Sequence, residues 1–166
     1  MAKPTAEDKW NILELFARYA WAVDTGHEDD FVAQFRADAA IQEEGDRFEG
    51  ADGLRRFFRR FHHLPSFPGR QHWLGQPLIT GDRERCSVRS YAMATHLNKG
   101  TGSTQITFLG YYTDVVVRAD EDTWLFQERV FRRWRGSVVD GFPVWKPVQR
   151  GSAEAEGAWD PTGGPT

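Results

Sequence analysis

At 166 residues, with 40% hydrophobic and 27% charged side chains, the chain is sized for one globular domain with a substantial core. A formal charge of −3 and a pI near 6.0 argue against nucleic acid or an anionic membrane as the main partner. Cys86 is the sole cysteine, so no internal disulfide can form, and it reads as a buried, inert thiol on a strand.

The opening M-A-K-P-T-A-E-D-K-W lacks an apolar core and carries acids, so neither a signal nor a transit peptide is expected. No apolar run approaches a membrane span, and a cytoplasmic location is the expectation. Thr5 is a plausible N-cap, with Glu7 and Asp8 in the first turn. Ile12, Leu15, Phe16, Tyr19 and Val23 then recur at helical spacing, and Gly26 stops the helix. A short second helix is expected from Glu28 to Phe35, with Phe31 and Phe35 four apart. Residues Ala39 to Glu44 and Arg47 to Glu49 flank Gly45-Asp46 as a hairpin of short strands. Gly50-Ala51-Asp52-Gly53 leads into a third helix reaching about His62, with Leu54, Phe57, Phe58 and Phe61 as its apolar face.

Pro65, Pro68 and Gly69 mark a loop, after which the pattern changes to strands. Four are expected: Arg70 to Thr80, Arg85 to Leu97, Thr104 to Arg118 and Thr123 to Trp134. Their separators, Gly81-Asp82, Asn98 to Gly102 and Ala119 to Asp122, are good turn chemistry. Three helices followed by a mostly antiparallel sheet give an α+β domain over residues 1–150. Residues 151–166 read as an irregular arm, anchored by Trp159 alone.

The residues that carry chemistry are few. Asp24 falls at the C-terminal end of the first helix, where the dipole disfavours a carboxylate. Its D-T-G triplet is unlike that of an aspartic protease, because a helix precedes it and no second acid repeats it. Tyr19 lies on the apolar stripe, five residues before Asp24, and His72 opens a strand-like run. His96 lies on the next strand, on one face with the small residues Ser90, Ala92 and Ala94. An acid, a phenol and imidazoles that converge form a proton-transfer set in which the acid orients the His. Each also has a plain structural role open to it: a solvated turn Asp, a core Tyr, a strand-end His. The 14% aromatic content points to an aromatic-lined cavity or a large subunit interface. Candidate lining residues are Trp21, Phe57, Phe61, Trp73, Tyr91, Tyr111 and Trp134, with Tyr112 beside them; strand alternation means that not all can face one cavity. Arg55, Arg56, Arg59 and Arg60 form a basic stripe, read as a solvated face or as a contact for acids. His62-His63 has no acid or Cys at ligand spacing, and neither a metal nor another cofactor is expected.

These residues resemble the SnoaL-like branch of the nuclear transport factor 2-like superfamily over about Asp8 to Trp134. The resemblance is carried by N-I-L-E-L-F-A-R-Y-A-W-A-V-D-T-G, D-D-F-V-A-Q-F-R-A-D-A, F-E-G-A-D-G-L-R-R-F-F, H-W-L-G-Q-P-L-I-T-G-D and W-L-F-Q-E-R-V-F-R-R-W. It implies a cone: a curved, mostly antiparallel sheet packed with three N-terminal helices around a deep apolar pocket, commonly as a homodimer or higher homo-oligomer. Dehydratases and dehydrohalogenases of the family use an Asp-His dyad, which Asp24 and His72 match, 48 residues apart. Bile-acid dehydratases carry a catalytic Tyr five before the Asp, as Tyr19 does, and scytalone dehydratase has a second His near the place of His96. Tyr19 fills the slot of the dehydrohalogenase Lys, which speaks against halide elimination. The resemblance thus implies a cofactor-independent acid–base lyase on a hydrophobic, aromatic or polycyclic hydroxylated small molecule, by dehydration or retro-aldol cleavage. Its relatives leave two alternatives: an isomerase or cyclase of a steroid- or polyketide-like substrate, and a non-catalytic scaffold like the small subunit of ring-hydroxylating dioxygenases.

Overall fold

The structure, a computed structural model, describes residues 2–64 and 69–134. The expected loop at Pro65 and Pro68, and the expected arm at 151–166 with Trp159, lie outside the described residues. Helix α1 (Ala6–Thr25) begins at a capping box, in which the Thr5 hydroxyl accepts from the Asp8 N–H and the Asp8 carboxylate accepts from the Thr5 N–H. It ends at Gly26, whose φ of 81° is the left-handed conformation a Cβ would strain. Helix α2 (Glu28–Ala33) stops two residues short of the expected end. Phe35 instead opens strand β1 (Phe35–Glu43), yet its ring still lies 5.2 Å from that of Phe31. The spacing that suggested a longer helix therefore reports core burial, which a strand meets equally well. Strand β2 (Asp46–Glu49) pairs back on β1, and helix α3 (Gly50–His62) follows.

Strands β3 (Arg70–Gly81), β4 (Arg85–Asn98), β5 (Ser103–Arg118) and β6 (Trp124–Arg133) join them, among the described residues, in a six-stranded sheet of order β2-β1-β6-β5-β4-β3. Every pairing is antiparallel except β1 with β6. Register shifts at Gly75/Leu78, Ala94/Thr95 and Val115/Val116 curve the sheet. The α+β architecture, three helices on a curved and unclosed sheet, is the expected one. No helix among the described residues is long and apolar enough to cross a membrane.

The main core joins Ile12, Leu15 and Phe16 of α1 to Phe31, Leu54, Phe58, Val88 and Phe126. Cys86 is fully buried on β4, and burial pushes its thiol up, consistent with an inert side chain. The arginines of α3 are mostly paired within the molecule. Arg55 and Arg59 clamp Glu28 of α2 at 2.7 Å, and Arg60 meets Asp46 at 2.6 Å. These pairs lock α3 to α2 and to the β1–β2 turn.

Candidate active site

Asp24 and His72 come together. The His72 backbone N–H donates to Asp24 Oδ2 at 2.8 Å, and His72 Nδ1 lies 2.5 Å from Asp24 Oδ1. Both side chains are largely buried, at 9% exposure for His72 and 17% for Asp24. Two donors on one carboxylate explain how an acid is tolerated at the C-terminal end of α1, where the last turn carries no basic residue. The helix end is held from the other side by His62. Its Nε2 lies 2.8 Å from the Val23 carbonyl, its Nδ1 2.8 Å from the Phe58 carbonyl, and its ring stacks on Phe58. With Nδ1–H given to the carboxylate, the neutral His72 ring carries its basic lone pair on Nε2.

Directly opposite residues of paired strands share a face. His72 stands opposite Ala94 and Leu74 opposite Ala92; across β4, Ala94 meets Phe108 and Ser90 meets Tyr112. The helix-covered wall around His72 is therefore Leu74, Ala92, Phe108, Tyr112 and Phe131, with the Phe108 ring centre 5.7 Å from that of His72. His96 is on this face, diagonal to His72 across the β3–β4 ladder. Its Nδ1 is buried and has no hydrogen-bond partner among the described residues.

Tyr19 is placed differently. It is 3% exposed, set among Phe31, Phe35 and Phe126, and its hydroxyl is a hydrogen-bond partner of Tyr112. Burial holds its phenol far above the ordinary range. Tyr19 therefore reaches the His72 wall through Tyr112 rather than through Asp24.

Beneath the two phenols is a group the sequence reading did not single out. The Arg129 guanidinium is sandwiched 4.0 Å from the Tyr19 ring centre and 3.8 Å from that of Tyr112. Asp114 stands opposite it on β5, with Oδ1 3.8 Å from Arg129 Nε. Both side chains are 0% exposed, and the Asp114 carboxyl finds no hydrogen-bond partner among the described residues, while Arg129 also meets the Tyr112 hydroxyl. A signal was present: Tyr112, Asp114 and Val116 alternate on the inward side of β5. On β6 the signal was masked. Plain alternation from Trp124 and Phe126 would turn Val130 inward, but the shift opposite Val115/Val116 turns Arg129 and Phe131 inward instead.

Burial pushes the Asp114 carboxyl up to about 7, with the Arg129 charge pulling the other way. Between about 3.8 and 7 the folded state thus holds the proton more tightly than the unfolded chain, so this group makes stability fall as pH rises through that window. Glu28 acts in the opposite sense. Hydrogen bonds from Arg59 and Arg55 hold it at about 2, so its contribution is complete above about 4.5 and is lost as pH falls towards 2. Urea melts across pH are expected to show greatest stability near pH 4–5. Asp114→Asn removes the decline towards pH 7; an unchanged slope in that variant assigns the decline to other groups.

The aromatic candidates divide. Trp21 and Trp73 border one cavity with His72, between α1 and β3, but both are largely exposed, and alternation along β3 sets Trp73 on the face away from His72. Three of the others are corrected by strand alternation. Tyr91 stands opposite Tyr111, and Tyr111 opposite Arg132, on the face turned away from His72; the Trp134 ring lies 6.0 Å from that of Tyr91 on that same side. Phe57 and Phe61 are also corrected. They pack with Phe31 and Phe48 along the apolar side of α3, within the core rather than beside the dyad.

A family model described as a SnoaL-like domain matches residues 4–130. A protein of unknown function with a cystatin-like fold from Nostoc punctiforme superposes with a TM-score of 0.70 at 23% identity, covering 81% of this chain and 96% of that one. A candidate scytalone dehydratase from Novosphingobium aromaticivorans superposes at 0.67 with 22% identity, covering 77% and 85%. A candidate aromatic ring hydroxylase from the same organism does so at 0.68 with 25% identity, covering 80% and 93%. No curated protein matches the chain.

Proposed function

This chain belongs to the SnoaL-like domain family, and from that premise we propose that it is a cofactor-independent acid–base lyase acting on a hydrophobic, hydroxylated aromatic small molecule. The observation that supports this reading is the Asp24–His72 pair, an imidazole whose Nδ1 and backbone N–H are both engaged by one largely buried carboxylate. Such a pair fixes the tautomer, aims Nε2 and stabilises the imidazolium that forms when a proton is taken. In a dehydration, His72 Nε2 removes a proton from the carbon next to the carbinol, the C–H electrons become the new double bond, and the C–O bond breaks. The departing hydroxide takes a proton from His96 on the same wall and leaves as water. Retro-aldol cleavage uses the same base on a hydroxyl: the C–C bond breaks, an aldehyde leaves, and the carbanion is reprotonated. Tyr19 and Arg129 act at one remove, by fixing the Tyr112 phenol beside the site.

Product mass tests the reaction class. Incubation with hydroxylated one- and two-ring aromatics is expected to yield a product lighter than its substrate by water or a small aldehyde. A product of unchanged mass assigns the site to isomerisation instead. Asp24→Asn tests the dyad. The amide would donate to Nδ1 and drive the proton to Nε2, removing the base while keeping the shape. A loss of about 10²–10⁴-fold in kcat with an unchanged melting temperature is expected; retention of more than a tenth of the rate removes Asp24 from the mechanism.

A further inference from the structure

Ser90 carries a hydroxyl that the fold does not use. The residue is 4% exposed, and its Oγ has no hydrogen-bond partner among the described residues. Serine in a strand normally satisfies its hydroxyl on nearby backbone or water, and an orphaned buried hydroxyl calls for an explanation. Its place suggests one. Ser90 points to the helix-covered face between Val88 and Ala92, and it lines a cavity of about 260 Å³ together with His72. The cavity runs between α1, through Leu13, Ala17 and Ala20, and β3, through Leu74, Gly75 and Pro77.

Two local features open this space. The α1 side presents the small residues Ala17 and Ala20. On the β3 side, the register shift between Gly75 and Leu78, with Gln76 at φ 47°, bends the strand. Among the described residues, the polar side chains in the lining apart from the indoles of Trp21 and Trp73 are His72 and Ser90. An apolar cavity with few convergent polar groups is the usual form of a small-molecule site. Its volume, just under the ~300–1,000 Å³ range of drug-sized sites, holds one or two fused rings.

We propose that this cavity is the ring-binding part of the substrate site, that it takes a one- or two-ring hydroxylated aromatic, and that Ser90 binds the ring hydroxyl while His72 meets the proton to be removed, His96 and Tyr112 lying outside it. The assignment rests on the acid–base reading of His72 for its role, but the slot itself is testable without turnover. The ring lies against Ala17 and Ala20 of α1, with His72 and Ser90 across from them.

The test uses 2-naphthol and naphthalene as probes, titrated calorimetrically or by tryptophan fluorescence against the full chain. Wild type is expected to bind 2-naphthol about 3–10-fold more tightly than naphthalene, the span of one neutral hydrogen bond. Ser90→Ala should bring the ratio close to one and leave naphthalene affinity unchanged, an outcome that general loosening of the fold would not produce. Ala20→Phe, which fills the slot, should abolish binding of both probes. Equal affinities in wild type, no binding of either probe, or a ratio that survives Ser90→Ala overturns the assignment. His72→Ala separates the two claims. A preserved ratio with unchanged turnover sinks the reaction but not the slot, and a lost ratio in Ser90→Ala with turnover sensitive to His72 is expected only if both hold.

Discussion

Replacing His72 with Ala is expected to lower kcat by about 10²–10⁴-fold while leaving a folded protein. The lower figure is the usual worth of one general base, and the upper applies if no water can take its place in the site. The fold should survive because β3 is an edge strand and its ladder with β4 depends on backbone groups that Ala retains. The backbone N–H of residue 72 also continues to hold Asp24 Oδ2. The losses include the Nδ1–H donor and the ring beside Phe108. Steady-state kinetics beside a thermal melt read both consequences. A rate within a few-fold of wild type would sink the acid–base mechanism, whatever the melt showed.

Asp114→Ala carries the largest expected cost to stability, about 3–5 kcal/mol. Among the described residues Asp114 is the carboxyl that faces the Arg129 cation, at 3.8 Å with both side chains fully buried, and above about pH 7, where the comparison is to be made, it is ionised. Removing the carboxylate leaves that charge buried against the Tyr19 and Tyr112 rings, whose π-faces compensate only in part. Small domains total about 5–15 kcal/mol, so a loss of this size moves the urea midpoint far, with little change in slope. Pairing the change with Arg129→Met should recover much of the loss, because two apolar groups of similar shape replace two charges. A single variant within about 1 kcal/mol of wild type would show that the pair does not hold this layer together.

Most of the element order was legible in the sequence because its signals are local. An N-cap at Thr5, a glycine stop at Gly26 and turn residues between strands each act over a few positions. Those signals placed every strand of the second half to within two residues. The approach of Asp24 to His72 was legible only by likeness to a family, since nothing local ties a helix end to a strand 48 residues on. Other features were decided by long-range contact. Phe35 left the helix for a strand because either serves the core. Tyr91, Tyr111 and Trp134 turned away from His72 because register, not aromatic character, chooses a face.

By itself, then, the sequence determined the α+β order, the caps and turns, and the residue types able to move a proton. The tertiary structure alone decided that Tyr19 answers to Tyr112, that Arg129 faces inward, and that Ser90 is left with an unused hydroxyl beside His72. Each depends on how distant elements meet, and for Arg129 the reason is one of register. A one-residue shift in a ladder reverses the side of every residue beyond it, and such shifts are set by how distant strands and helices fill shared space.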